Sequence, residues 1–218
     1  MRSLIAAAVA ILALSISIGL GARAGRPPSD GTNKSAHGLF LVKSAPRALP
    51  DKTEVAMFAG GCFWGVEEVF RHEPGVIATA VGFSGGHVKN PSYRQVCAGD
   101  TAHAEACMVE FDPKRTNFEK LAKTFFEVHD PTEVNRQGPD EGEQYRSAIF
   151  TFNSDQRKTA LDLIARLEKS GDFGVQKIAT EVRAASPFYF AEDYHQQYVE
   201  KGGVAYCHAR THRNFGGK

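Results

Sequence analysis

The chain has 218 residues, the length of one large domain or two small ones. Hydrophobic residues make up 42% and charged residues 23%, which excludes wholesale disorder, and 26 Lys+Arg against 25 Asp+Glu lacks the basic excess of a dedicated nucleic-acid binder. Four cysteines, none in a C-x-x-C pair, exclude a disulfide scaffold, a zinc ribbon and a thioredoxin-type redox motif, and leave a globular enzyme or a binding module.

Residues 1–24 read as a signal peptide: Arg2 supplies the positive end, Leu4 to Leu20 is apolar, and Ala22-Arg23-Ala24 is an A-x-A cleavage pattern. An uncleaved membrane anchor is the alternative, because about 17 apolar residues approach the lower limit for spanning. Cleavage after Ala24 would leave a net charge of −1 and place the mature protein where disulfides persist. Residues 25–53 are a linker. The stretch from Gly25 to Gly31 is turn-rich, and Gly38-Leu39-Phe40-Leu41-Val42 is an apolar patch that fits either an extended arm on the domain surface or a disordered spacer.

The domain proper spans residues 54–218. Val55 to Ala59 reads as a buried strand ending at Gly60-Gly61, and Cys62 to His72 has helical spacing, with Phe63, Val66, Val69 and Phe70 on one side. Val76 to Phe83 is a second strand, and Gly82, Gly85 and Gly86 mark a loop. Glu105 to Phe111 alternates, with Cys107, Val109 and Phe111 on one face. Phe118, Leu121, Phe125 and Val128 give the next helix, and Asp130 to Arg146 is a long polar segment. Ser147 to Phe152 is a strand, Ser154 is the expected N-cap of a helix ending near Gly171, and Ile178 to Ala184 is a further strand. The order β-α-β-β-α-β predicts an α+β fold, a ferredoxin-like split βαβ two-layer sandwich with long loops and an irregular C-terminal tail.

Candidate chemistry gathers around Cys62. The residue follows two glycines and opens a helix, where unpaired N–H groups and the helix dipole favour a thiolate and predict a lowered pKa. Phe63 and Trp64 point in different directions from adjacent helical positions, so one ring is expected to wall an apolar pocket beside the sulfur. An inert buried cysteine with two core aromatics is the plain alternative. Cys207 lies in a Gly-bearing basic tail, a poor place for a structural thiol, and a mobile tail there is able to carry its sulfur to Cys62. Cys97 and Cys107 read as structural. Cys207-His208 with His212 matches a metal pair too loosely to predict a metal site, and no cofactor is expected.

Gly61-Cys62-Phe63-Trp64-Gly65 resembles the signature of the A-type peptide-methionine sulfoxide reductases. Further blocks follow in family order over about residues 55–207. They are Gly82-Phe83-Ser84-Gly85-Gly86; Tyr93 to Cys97; His103-Ala104-Glu105, with Ala102 where the family has glycine; Asp130 through Asp140 to Ser147; and Phe188 to Tyr198. The resemblance implies reduction of the S epimer of free or protein-bound methionine sulfoxide. Cys62 would attack the sulfoxide sulfur, and a protonated Glu105 would serve as acid. Tyr93 and Tyr145 would bind the oxygen with support from Asp140, and Phe63 and Trp64 would cradle the methyl group. It further implies a Cys62 sulfenic acid, resolution by Cys207 as a disulfide, and reduction by a thioredoxin-like donor. A protein-repair enzyme of the bacterial periplasm, monomeric and without stable membrane association after signal cleavage, is the expectation. Two other classes stay open. One is a thiol hydrolase using Cys62 with His103 or His195 and Asp140; the other is a non-catalytic binder with an aromatic patch at Trp64.

Overall fold

The computed structural model describes residues 41–42, 52–205 and 209–216. In chain order the elements are β1 (Leu41–Val42), β2 (Glu54–Ala59), α1 (Phe63–His72), β3 (Val76–Ser84), α2 (Tyr93–Cys97), β4 (Ala104–Phe111) and α3 (Phe118–Glu127). They continue with β5 (Arg136–Gln137), β6 (Asp140–Glu141), a 3-10 turn (Glu143–Tyr145), β7 (Ala148–Thr151), α4 (Ser154–Ser170), β8 (Glu181–Ala184) and β9 (Tyr189–Phe190). The strands β3-β4-β2-β7 lie side by side and antiparallel, so β2-α1-β3 is a split βαβ unit with β4 inserted between its strands. This is the expected ferredoxin-like α+β arrangement; α4 then leads to β8, which pairs parallel with β7.

Strand alternation divides the core. Ala56 and Phe58 of β2, Cys107, Val109 and Phe111 of β4 and Ile149 of β7 face α1, α3 and α4. Their neighbours Met57, Ala59, Ala106, Met108 and Phe150 point to the other face, where Phe188 covers them. All eight residues of β4 are therefore buried. A third cluster, Phe63, Val81, Phe83, Val96 and Ala191, lies beneath Trp64 and Tyr93.

The outer edge of β3 is sealed in three ways. β1 pairs with Ala78 and Thr79, and β9 pairs with Gly82 and Phe83. Between them the side-chain amide of Gln196 accepts from the N–H of Val81 at 2.9 Å and donates to its carbonyl at 2.8 Å, standing in for a strand residue. Gly82 belongs to β3 rather than to a loop; a Cβ there would lie 2.2 Å from the Tyr189 carbonyl oxygen, so only glycine admits β9. Val69 is only half-buried on α1, and the N-cap of α4 is Asn153 rather than Ser154, because Asn153 Oδ1 accepts from Gln156 N–H at 2.9 Å. The long polar segment also contains the β5–β6 ladder and a 3-10 turn.

Candidate active site

Cys62 is the N-cap of α1 and makes no side-chain capping bond. Gly61 before it has φ +91°, a left-handed turn that swings the chain from β2 into the helix. The sulfur is half-buried. Burial pushes its thiol up to about 12, and the Glu105 and Asp140 carboxylates push the same way against the backbone N–H groups of Trp64 and Gly65. The expected lowering is thus overturned. The helix N-terminus does act on the sulfur, but desolvation, the largest influence, outweighs it.

Those N–H groups are also shared. Phe63 N–H, the first of the helix, donates to Glu105 Oε2 at 3.0 Å. Glu105 sits on β4 with 1% exposure, and burial raises its carboxyl to about 8; the Phe63 bond opposes the rise and Asp140 adds to it. At neutral pH Glu105 therefore holds a proton, and its push on Cys62 is then switched off.

Two phenols and Asp140 complete this side of the site. Tyr93 begins α2 and Tyr145 ends the 3-10 turn; both are half-buried and both are raised above the ordinary tyrosine range by burial and then by Glu105. They stay as neutral O–H donors across the physiological range. The carboxylate of Asp140 acts on Cys62, Glu105 and Tyr145 alike, which places these four residues within electrostatic reach of one another. α2 is a five-residue helix opened by a capping box between Ser92 and Gln95.

The aromatic side divides as its adjacent helical positions require. Phe63 is buried with 1% exposure among Val81, Phe83 and Val96, whereas Trp64 is half-exposed. The indole stacks on Tyr198 at 3.9 Å and donates its N–H to His195 Nδ1 at 3.1 Å. His195, the possible base of the hydrolase alternative, is a wall of the site: its ring also lies 4.3 Å from that of Tyr93. The block from Ala191 to Tyr198 is bound residue by residue, through Glu192 to Tyr93 N–H, His195 to Trp64, Gln196 to β3, and Gln197 to the buried Glu67.

The remaining thiols separate. Cys107 is fully buried in the core. Cys97, expected as structural, is exposed at the end of α2 and receives the Tyr93 hydroxyl at its sulfur. Cys207 and His208 lie outside the described residues. The described parts of the tail are anchored rather than loose. Arg210 bonds Glu73, Glu127 and Thr124, Arg213 donates to the Phe126 and His129 carbonyls, and Phe215 packs on the helix-side core. The hydrolase alternative loses its base: His103 is engaged through both ring nitrogens with residues 86 and 88, and His195 Nδ1 is taken by Trp64. A cavity of about 780 Å³ between the starts of α3 and α4 contains none of these residues.

Fold and site together define a thiol enzyme on a ferredoxin-like α+β sandwich, with a helix-start cysteine beside a protonated buried carboxyl and an aromatic wall. The family model described as peptide methionine sulfoxide reductase matches residues 54–216, and the chain belongs to that family. It is 57% identical over 150 residues, 69% of this chain and 79% of the relative, to the peptide methionine sulfoxide reductase MsrA of Methanosarcina acetivorans. Among solved structures it resembles reduced Mxr1 from Saccharomyces cerevisiae with a TM-score of 0.69 and 34% identity, covering 76% of this chain and 96% of that one. Mxr1 in complex with Trx2 matches with a TM-score of 0.51 and 25% identity, covering 77% of this chain and 96% of that one. The enzyme is a peptide-methionine sulfoxide reductase.

Proposed function

We propose that the enzyme reduces the S epimer of methionine sulfoxide, free or in oxidised proteins, from a resting state that holds two protons, one on the Cys62 thiol and one on Glu105. The observation that carries this reading is the buried Glu105 carboxyl, raised to about 8 yet fixed at the first N–H of the helix that Cys62 opens. The sulfoxide oxygen lies against the Tyr93 and Tyr145 hydroxyls and the methyl group against Trp64, with Phe63 beneath it. With the oxygen and methyl group so placed, the Cys62 sulfur is the third fixed point and the rest of the substrate must leave toward solvent, which only one hand of the sulfoxide satisfies.

As Cys62 Sγ bonds to the sulfoxide sulfur, the oxygen takes the Glu105 proton and the carboxylate recovers the thiol proton. The hydroxyl then passes to Cys62 Sγ as both the S–O bond and the new Sγ–S bond break, methionine leaves, and Cys62 is left as a sulfenic acid. The methionine sulfur is reduced by two electrons and the Cys62 sulfur is oxidised by two. The Cys207 thiol condenses with the sulfenic acid to a disulfide and water, and a thioredoxin-like dithiol reduces that disulfide and is itself oxidised. The solved complex of the relative Mxr1 with Trx2 supports a protein donor. Residues 1–24 direct export, with action in the periplasm after cleavage; a mature species beginning at Gly25 in the soluble periplasmic fraction is the expected product.

Incubation of the fully reduced protein with a racemic methionine-sulfoxide peptide, followed by chiral chromatography, tests the reading. Loss of the S epimer alone, abolished by Cys62→Ser, is expected. Consumption of both epimers equally, or turnover surviving Cys62→Ser, contradicts it.

A further inference from the structure

Glu192 touches both sides of the pocket. Its Oε1 accepts the backbone N–H of Tyr93, the first residue of α2, at 3.1 Å. Its Oε2 lies 3.8 Å from His195 Nε2. The His195 ring is 1% exposed, and its Nδ1 accepts the Trp64 indole N–H. An indole nitrogen only donates, so Nδ1 carries no proton and the neutral ring has its proton on Nε2, toward Glu192. Nε2 makes no hydrogen bond of ordinary length among the described residues, which leaves the carboxylate as its electrostatic partner.

We propose that Glu192 is a positioning residue that keeps the oxygen-binding and methyl-binding sides of the site in register. One carboxylate oxygen fixes the start of the helix carrying Tyr93, and the other fixes the tautomer and tilt of the histidine that holds Trp64. The inference rests on the roles of Tyr93 and Trp64 given above.

The arrangement has a signature separate from turnover. A second proton on His195 enters only at Nδ1, where it removes the acceptor of the indole N–H. It also sets a cation 5.5 Å from the ring of the one tryptophan in the chain. Phe63 and Trp64 from α1, Tyr93 from α2 and Tyr194 from its own segment pack against the ring, and both tyrosines stay neutral because burial raises them. Glu192 is the charged group that faces the histidine among the described residues. Burial lowers the affinity of His195 for the second proton and Glu192 raises it, so removing the carboxylate moves protonation to lower pH.

The test uses the full reduced chain without substrate: tryptophan fluorescence titrated from about pH 8 to about pH 4 in the wild type, Glu192→Gln and Glu192→Ala. The Gln variant keeps an oxygen for the Tyr93 N–H and loses the charge; the Ala variant loses both. The midpoint of the acid transition is expected to fall by about half a pH unit or more in both variants. The KM for the sulfoxide peptide is expected to rise about fivefold in Glu192→Ala, with a smaller change in kcat, and to recover in Glu192→Gln. If the Ala variant does not fold, the Gln midpoint carries the test. An unmoved midpoint, or a KM rise as large in Gln as in Ala, overturns the inference. A wild type that consumes no sulfoxide while its midpoint still responds to Glu192 overturns the functional reading and leaves the coupling standing.

Discussion

The starts of α1 and α4 meet the same physical demand in opposite ways. Each helix leaves its first N–H groups without intrahelical partners. At α4, Asn153 caps the N–H of Gln156 and Asp155 sits in the first turn beside the positive end of the dipole. α3 begins similarly, with Asn117 accepting from Lys120 N–H and Glu119 in the first turn. α1 has neither device: its N-cap is Cys62, which makes no capping bond, and its first turn holds no acid. Its first N–H turns instead to Glu105 from a strand 42 residues away, and those of Trp64 and Gly65 favour negative charge on the sulfur. The two capped ends serve stability. The uncapped end keeps its donors for a carboxyl and a thiol, the pair on which the proposed reaction places its two protons.

The comparison is tested hardest by giving α1 a conventional cap. Cys62→Ser is expected to bring sulfoxide reduction to the assay floor while holding or raising stability by up to about 1 kcal/mol, read from thermal unfolding. A clear loss of stability would show that the sulfur is part of the packing instead. Next in size, Glu105→Gln is expected to slow methionine release in a single turnover by about 10²-fold, with substrate still bound. Glu105 also bears on the fold itself. Its carboxyl is raised from 4.5 to about 8 in the folded protein, so its contribution to stability is present below 4.5 and lost as pH rises through 8. The Gln variant should lack that loss in pH-dependent unfolding. Asn153→Ala is expected to cost about 1 kcal/mol with no change in turnover, the reverse of Cys62→Ser. The smallest effect is expected at Ala102. Its φ of +55° lies in the left-handed region, and Ala102→Gly is expected to gain about 0.5 kcal/mol after the added freedom of the unfolded chain is counted.

The central strands and the three long helices were legible because alternation and helical spacing are local, and Gly60-Gly61-Cys62 marks a strand-to-helix turn by itself. Glu105 was harder to read from composition. It shares a strand face with Cys107 and Val109, and its burial comes from α1, which arrives from elsewhere in the chain. The thiol expectation failed for a related reason: a helix start is visible in sequence, whereas the acids and the burial that oppose it are assembled by the fold. The pairing of His195 with Trp64 left no local signal, because the two lie 131 residues apart. The short α2 did leave a signal, the Ser92-x-x-Gln95 spacing of a capping box, which would have placed Tyr93 at a helix start.

The two-proton resting state is most directly tested by the pH dependence of methionine release from the fully reduced enzyme in a single turnover. The rate is expected to hold steady through neutral pH and to fall about tenfold per pH unit once Glu105 ionises above about 8. A rate that climbs through 8 toward the thiol value of about 12 would show that a thiolate, with only one proton left in the pair, is the reacting state, and would contradict the account.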